Sequence, residues 1–78
     1  MTISPLSLTA DQVTTARNLL GWIQEELAGR AGVSRGTISQ FETGARRPSD
    51  WCLVLIHRAL NDAGIELNGT VRMRGVVE

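Results

Sequence analysis

The twenty-residue stretch from Gln24 to Thr43 limits the possible folds of this chain more than any other feature does. Ala28, Gly32 and Ile38 stand at its fifth, ninth and fifteenth positions, between two short segments with helical apolar spacing. Over Gln24 to Ala31 the spacing predicts a helix that buries Leu27, Ala28 and Ala31, with Gly32 supplying the left-handed residue that ends it. Ser34 is placed to cap the following helix, and Val33 with Ile38 forms a hydrophobic staple that sets its entry angle. Ile38 and Phe41, three residues apart, then face inward. The spacing has a mechanical reading. A small residue at Ala28 lets the next helix cross closely, Gly32 permits the bend, and Ile38 fills the angle between the two helices.

The flanking sequence completes a small bundle. Residues 1–8, with Pro5 and several Ser/Thr positions, read as a loose, flexible leader. Thr9 and Gln12 have capping-box spacing, Leu8 and Val13 the spacing of a staple, and Val13, Ala16 and Leu20 a helical period that stops at Gly21. Gly44 to Pro48 cannot continue a helix. Ser49 caps a longer one running to about Ala63, with Leu53, Ile56 and Leu60 on its inner face and Gly64 as its stop. Beyond it, Ile65 to Leu67 and Thr70 to Arg74 alternate around Asn68-Gly69, which predicts a hairpin with a two-residue turn. The expected organisation is therefore a leader (1–8), a helical domain (9–63) and a C-terminal hairpin or dimerisation extension (64–78). Seventy-eight residues suffice for one domain, mainly all-α, with four to five helices.

Eight acidic residues balance eight basic ones, so bulk charge argues for no partner. The distribution is less even. Arg30, Arg35, Arg46 and Arg47 face the single acid Glu42 between positions 30 and 47, a local excess of three positive charges. All the basic residues are arginine, whose planar fork suits phosphate oxygens and guanine edges. No nucleophile with a base, no paired carboxylates and no metal cage is visible, so neither an enzyme nor a cofactor is expected. The lone Cys52 and lone His57 make no metal-ligand cluster, and His57 reads as a packed helix residue. No apolar run approaches membrane-spanning length, and a cytoplasmic, nucleoid-associated protein is expected.

The run Leu20 to Ala28, followed by Gly32-Val33-Ser34-Arg35, Ile38 to Gly44 and Arg46-Arg47-Pro48, resembles the Cro/C1-type helix-turn-helix family of phage-repressor-like regulators. The resemblance covers about residues 9 to 63 and implies a lambda-repressor-like bundle that places the helix 35–42 in the major groove of double-stranded DNA. By position, Arg35, Gly36, Thr37, Ser39 and Gln40 match base-reading residues, with Arg35, Gly36 and Gln40 toward base edges. Gln24, Ser34, Thr43, Arg46 and Arg47 match phosphate-level positions, and Arg17 with Glu42 matches a buried ion pair. The helical period agrees, since it puts Gly36, Ser39, Gln40 and Thr43 opposite Ile38 and Phe41, with Arg35 on the flank. Two positions depart from the family pattern. Ile23 stands where a capping Ser, Thr or Asn is usual, and Gly36 offers the groove no side chain.

One such helix covers few base pairs, so a homodimer on half-sites roughly 34 Å apart is expected, acting as a transcriptional regulator and, more narrowly, a repressor. Trp51, Val54 and Leu55 stand where relatives usually carry polar residues. They form, with Val71 and Met73 of the hairpin, the expected dimer surface. The alternative is an antitoxin or another interaction module with a toxin partner, although such proteins often carry a disordered charged tail where this chain has a hairpin pattern.

Overall fold

The computed structural model describes residues 3–75. A 3-10 turn, Pro5–Ser7, leads into four helices: α1 (Ala10–Leu20), α2 (Gln24–Ala31), α3 (Arg35–Thr43) and α4 (Asp50–Asp62). Two antiparallel strands, β1 (Ile65–Leu67) and β2 (Val71–Met73), follow.

Three of the four helices start where a side chain satisfies an otherwise orphaned amide. Thr9 Oγ1 accepts from the Gln12 amide at 3.2 Å, while Gln12 Oε1 accepts from the Thr9 amide at 2.9 Å. This is a complete capping box. Ser34 caps α3 and Ser49 caps α4. Ile23, at the same position of α2, has no oxygen to offer, and that helix starts without a side-chain cap.

The core takes Val13 and Ala16 from α1, Leu27, Ala28 and Ala31 from α2, Ile38 and Phe41 from α3, and Leu53, Ile56 and Leu60 from α4. These are the inward positions that helical spacing predicts. Small residues on α2 allow it to pack against both α3 and α4, and Gly32, at φ 77°, turns the chain between α2 and α3 without a side-chain clash.

Outside the helix-turn-helix the structure differs from the sequence reading in three places. Residues 3–8 are not a loose leader. Leu8 is fully buried, the Ile3 amide donates to the Leu67 carbonyl, and the Ile3 carbonyl accepts from His57 Nε2 at 3.0 Å. His57 is thus a packed residue with a definite task. The hairpin is also not an appendage, because Ile65 and Leu67 are buried in the same core as the helices.

Its turn has three residues, not two. Leu67 pairs with Val71 and Ile65 with Met73, leaving Asn68, Gly69 and Thr70 in the loop. A two-residue turn would have paired Leu67 with Thr70 and Ile65 with Arg72, mixing apolar and charged groups on each face. The observed register puts four apolar side chains on the face toward the core. It also sets Glu66 opposite Arg72, which pair at 3.8 Å on the other face. Burial of one face outweighs the local turn preference.

Candidate nucleic-acid interface

The position of α3 is set by a buried polar knot. Glu42, near its C-terminal end, accepts from Arg17 Nε at 2.9 Å and from Arg17 Nη2 at 3.0 Å, a bidentate pair that links α3 to α1. Arg17 Nη1 donates to the Trp22 carbonyl at 2.8 Å, and Gln24 Nε2 donates to Glu42 Oε1 at 3.2 Å. The first residue of α2 is thereby tied to the same carboxylate. Side-chain exposure is only 16% for Arg17 and 6% for Glu42, so water screens the pair poorly. Burial by itself raises the Glu42 pKa, but the hydrogen bonds from Arg17 and Gln24, the Arg17 charge and Thr14 outweigh it. The carboxyl is held below its ordinary range.

With its inner side bound this way, α3 turns Arg35, Gly36, Gln40 and Thr43 to solvent, with Ser39 and Thr37 half-buried. Ser34 Oγ accepts from the Thr37 amide at 3.1 Å and lies 2.9 Å from Thr37 Oγ1. Thr37, matched to a base-reading position, therefore has its hydroxyl engaged at the start of the helix. Thr43 Oγ1 donates to the Gln40 carbonyl at 3.3 Å, and the Arg46 amide donates to that carbonyl at 3.2 Å. The Gln40 side chain itself makes no hydrogen bond among the described residues, which leaves its amide available for a partner.

Open hollows flank the helix. One, of about 470 Å³, lies between α3 and the start of α4 and is lined by Thr37, Gln40, Arg46, Pro48 and Ser49, among others. A second, of about 320 Å³, is bordered by Arg17, Ile23, Gln24, Glu25 and Arg35. Among the described residues, Arg35 and Arg46 have no carboxylate partner, whereas Glu42 is neutralised by Arg17. The exposed side of α3 is consequently a polar ridge with unneutralised arginines at both ends.

Arg47, matched to a phosphate-level position, is engaged by backbone carbonyls of the N-terminal segment. Its Nη2 donates to the Leu6 carbonyl at 2.6 Å and its Nη1 to the Leu8 carbonyl at 3.2 Å, while the guanidinium carbon sits 5.8 Å from the Phe41 ring centre. No sequence signal marks this contact, since its partners are backbone atoms about forty positions away. Pro48, Ser49 and Cys52, which line the first hollow, carry no sequence signal as surface residues, because the hollow exists only where α3 and the start of α4 meet. The expected dimer residues do not lie in one patch with equal exposure. Trp51 is 67% exposed, Val54 is half-buried, and Leu55, Val71 and Met73 pack partly on the core.

Among the described residues no group of His, Cys, Asp or Glu could hold a metal ion, and no helix is long and apolar enough to cross a membrane. A family model described as helix-turn-helix matches residues 14–61. A protein of Methanothermobacter thermautotrophicus named an uncharacterized HTH-type transcriptional regulator is 48% identical over 50 residues, covering 64% of this chain and 68% of that protein.

Proposed function

The chain belongs to the Cro/C1-type helix-turn-helix family, and from that premise we propose that it is a double-stranded DNA-binding transcriptional regulator, acting as a repressor. The observation that carries this reading is the outward face of α3, polar and flanked by free arginines, held rigidly by the Arg17–Glu42–Gln24 knot. Arg35 and Gln40 read base edges, with Ser39 beside them. Gln24, through its remaining amide hydrogen, joins Ser34, Thr43 and Arg46 at phosphate level. Gly36 lets the backbone of α3 approach the groove floor closely, with no side chain to stand it off. Phosphate contacts set register and base contacts choose sequence.

The direct test is the salt dependence of binding to genomic fragments, followed by footprinting of the sites recovered. Regulator binding gives a linear fall of log affinity with log salt, of slope about 0.9 per phosphate neutralised. A flat line would reject the reading. Within it, Gln40→Ala is expected to lower the ratio of specific to nonspecific affinity by the equivalent of about 1 to 3 kcal/mol while leaving nonspecific binding nearly unchanged. An unchanged ratio in competition against scrambled duplex would remove Gln40 from base readout.

A homodimer is part of the proposal, since a single α3 reads too few base pairs for useful specificity. The second copy is placed on Trp51, the most exposed large apolar side chain described, with the neighbouring Val54. Leu55 is already partly consumed by the chain's own core, so the informative variant is Trp51→Glu alone. Sedimentation equilibrium at micromolar concentration is expected to show a wild-type dimer and a Trp51→Glu monomer of unchanged melting temperature. A wild-type monomer protecting one half-site would refute the dimer. The hairpin Ile65–Met73 is ordered and packed, which favours the regulator over an antitoxin with a disordered, toxin-binding tail.

A further inference from the structure

The 3-10 turn Pro5–Ser7 is too short to satisfy its own C-terminal carbonyls. Its internal bonds run from the Ser7 amide to the Ser4 carbonyl and from the Leu8 amide to the Pro5 carbonyl, which leaves the carbonyls of Leu6 and Leu8 without amide partners. Both are taken by Arg47, at 2.6 Å and 3.2 Å. The planar fork of a guanidinium presents two donor nitrogens at fixed separation, whereas an ammonium has all its donors on one nitrogen. Arg47 follows Arg46 directly, in the loop that joins α3 to α4 and forms the rim of the hollow beside Gln40. Between Gly44 and Ser49 the loop backbone has few other anchors: the Gly44 amide to Phe41 and the Arg46 amide to Gln40. At its far end the N-terminal strap is fastened by Ile3 to Leu67 and His57.

We propose that Arg47 is a positioning residue for DNA binding: it clamps the strap 3–8 to the loop and so holds Arg46 ready at phosphate level. This rests on the DNA-binding reading above. The clamp engages both terminal nitrogens of the exposed Arg47 guanidinium with backbone carbonyls, so Arg47 acts through the loop and not through a phosphate contact of its own. Its contribution is the preorganisation of a loop that would otherwise be ordered only on binding.

The experiment is a double-mutant cycle on DNA affinity, run well below every variant's melting temperature, with the salt slope of each protein. Arg46→Ala is expected to lower the slope by about 1 and to weaken binding about tenfold. Arg47→Ala alone is also expected to weaken binding about tenfold, yet in the Arg46→Ala background it adds almost nothing, because it acts through Arg46. Arg47→Lys keeps the charge but loses the fork, and it is expected to bind as weakly as Arg47→Ala. In the DNA-free protein, amide exchange at Leu8 and Arg46 accelerates in both Arg47 variants. Multiplicative losses in the cycle, or full rescue by lysine, would show a direct phosphate contact and overturn the clamp. Unchanged exchange at Leu8 and Arg46 would do the same. A wild-type protein with no salt-dependent DNA binding would instead overturn the DNA-binding reading, and this inference with it.

Discussion

Glu42→Ala is expected to destabilise the fold by about 3 kcal/mol, the lower end of the range for breaking a buried ion pair, because Arg17 keeps one other acceptor, the Trp22 carbonyl. The loss comes chiefly from leaving the largely buried Arg17 guanidinium without its counter-charge. For a chain of this size, roughly 4 to 8 °C of melting temperature is lost per kcal/mol, so thermal unfolding followed by circular dichroism resolves the effect easily. The double-mutant cycle with Arg17→Met is expected to give a coupling well above the 0 to about 1 kcal/mol of an exposed pair. A coupling near zero would show that the knot has no energetic weight.

The same carboxylate makes stability depend on pH, with a defined sign. The Glu42 pKa is lowered in the folded chain, so the unfolded chain takes up the proton first on acidification. The stabilisation is complete above the ordinary glutamate pKa, about 4.3, and disappears as pH falls from there through the folded value. Glu42→Gln is expected to flatten that part of the melting profile. Since the same group sets the position of α3, DNA affinity should decline over the same window before global unfolding sets in.

Leu8→Ala is expected to cost about 3 kcal/mol, within the range of about 2 to 5 found when a fully buried leucine is truncated. A flexible leader would tolerate the change with no measurable loss. Leu6, two residues earlier and 49% exposed, supplies the internal control: Leu6→Ala should stay within about 0.5 kcal/mol of the parent. A cost below about 1 kcal/mol for Leu8→Ala would mean that residues 3–8 are not part of the cooperative core. Because the strap carries the carbonyls that hold Arg47, Leu8→Ala should also raise amide exchange at Arg46.

These expectations differ in how much of each was legible in the sequence. The helix-turn-helix was legible throughout. Its signals, Thr9 with Gln12, Ser34, Ser49, Gly21, Gly32 and the apolar periods, act within one turn of helix, and local interactions of that range survive into any compact fold. The inward set Ile38, Phe41, Leu53, Ile56 and Leu60 followed from the same short-range rule, as did the exposure of Arg35, Gly36, Gln40 and Thr43, whereas Ser39, placed outward by the same period, is half-buried. The Arg17–Glu42 pair, twenty-five residues apart, came only through the family resemblance.

Tertiary structure alone decided the register of the hairpin, the fate of the N-terminal segment and the direction of Arg47. Asn68-Gly69 favours a two-residue turn locally, but burying Ile65, Leu67, Val71 and Met73 on one face required a third loop residue. Pro5 and its serine neighbours have no periodicity; the staple spacing of Leu8 with Val13 marks only a local contact, and nothing local shows that residues 3–7 are fastened down or that Ile3 meets Leu67 and His57 across the fold. Arg47 reads in sequence as one of two adjacent loop charges. Its partners are backbone carbonyls, which every residue possesses, and a side chain bonded to backbone leaves no complementary residue type to recognise. Sequence patterns carry contacts encoded by side chains at short spacing, whereas contacts to distant backbone exist only once the chain has closed on itself.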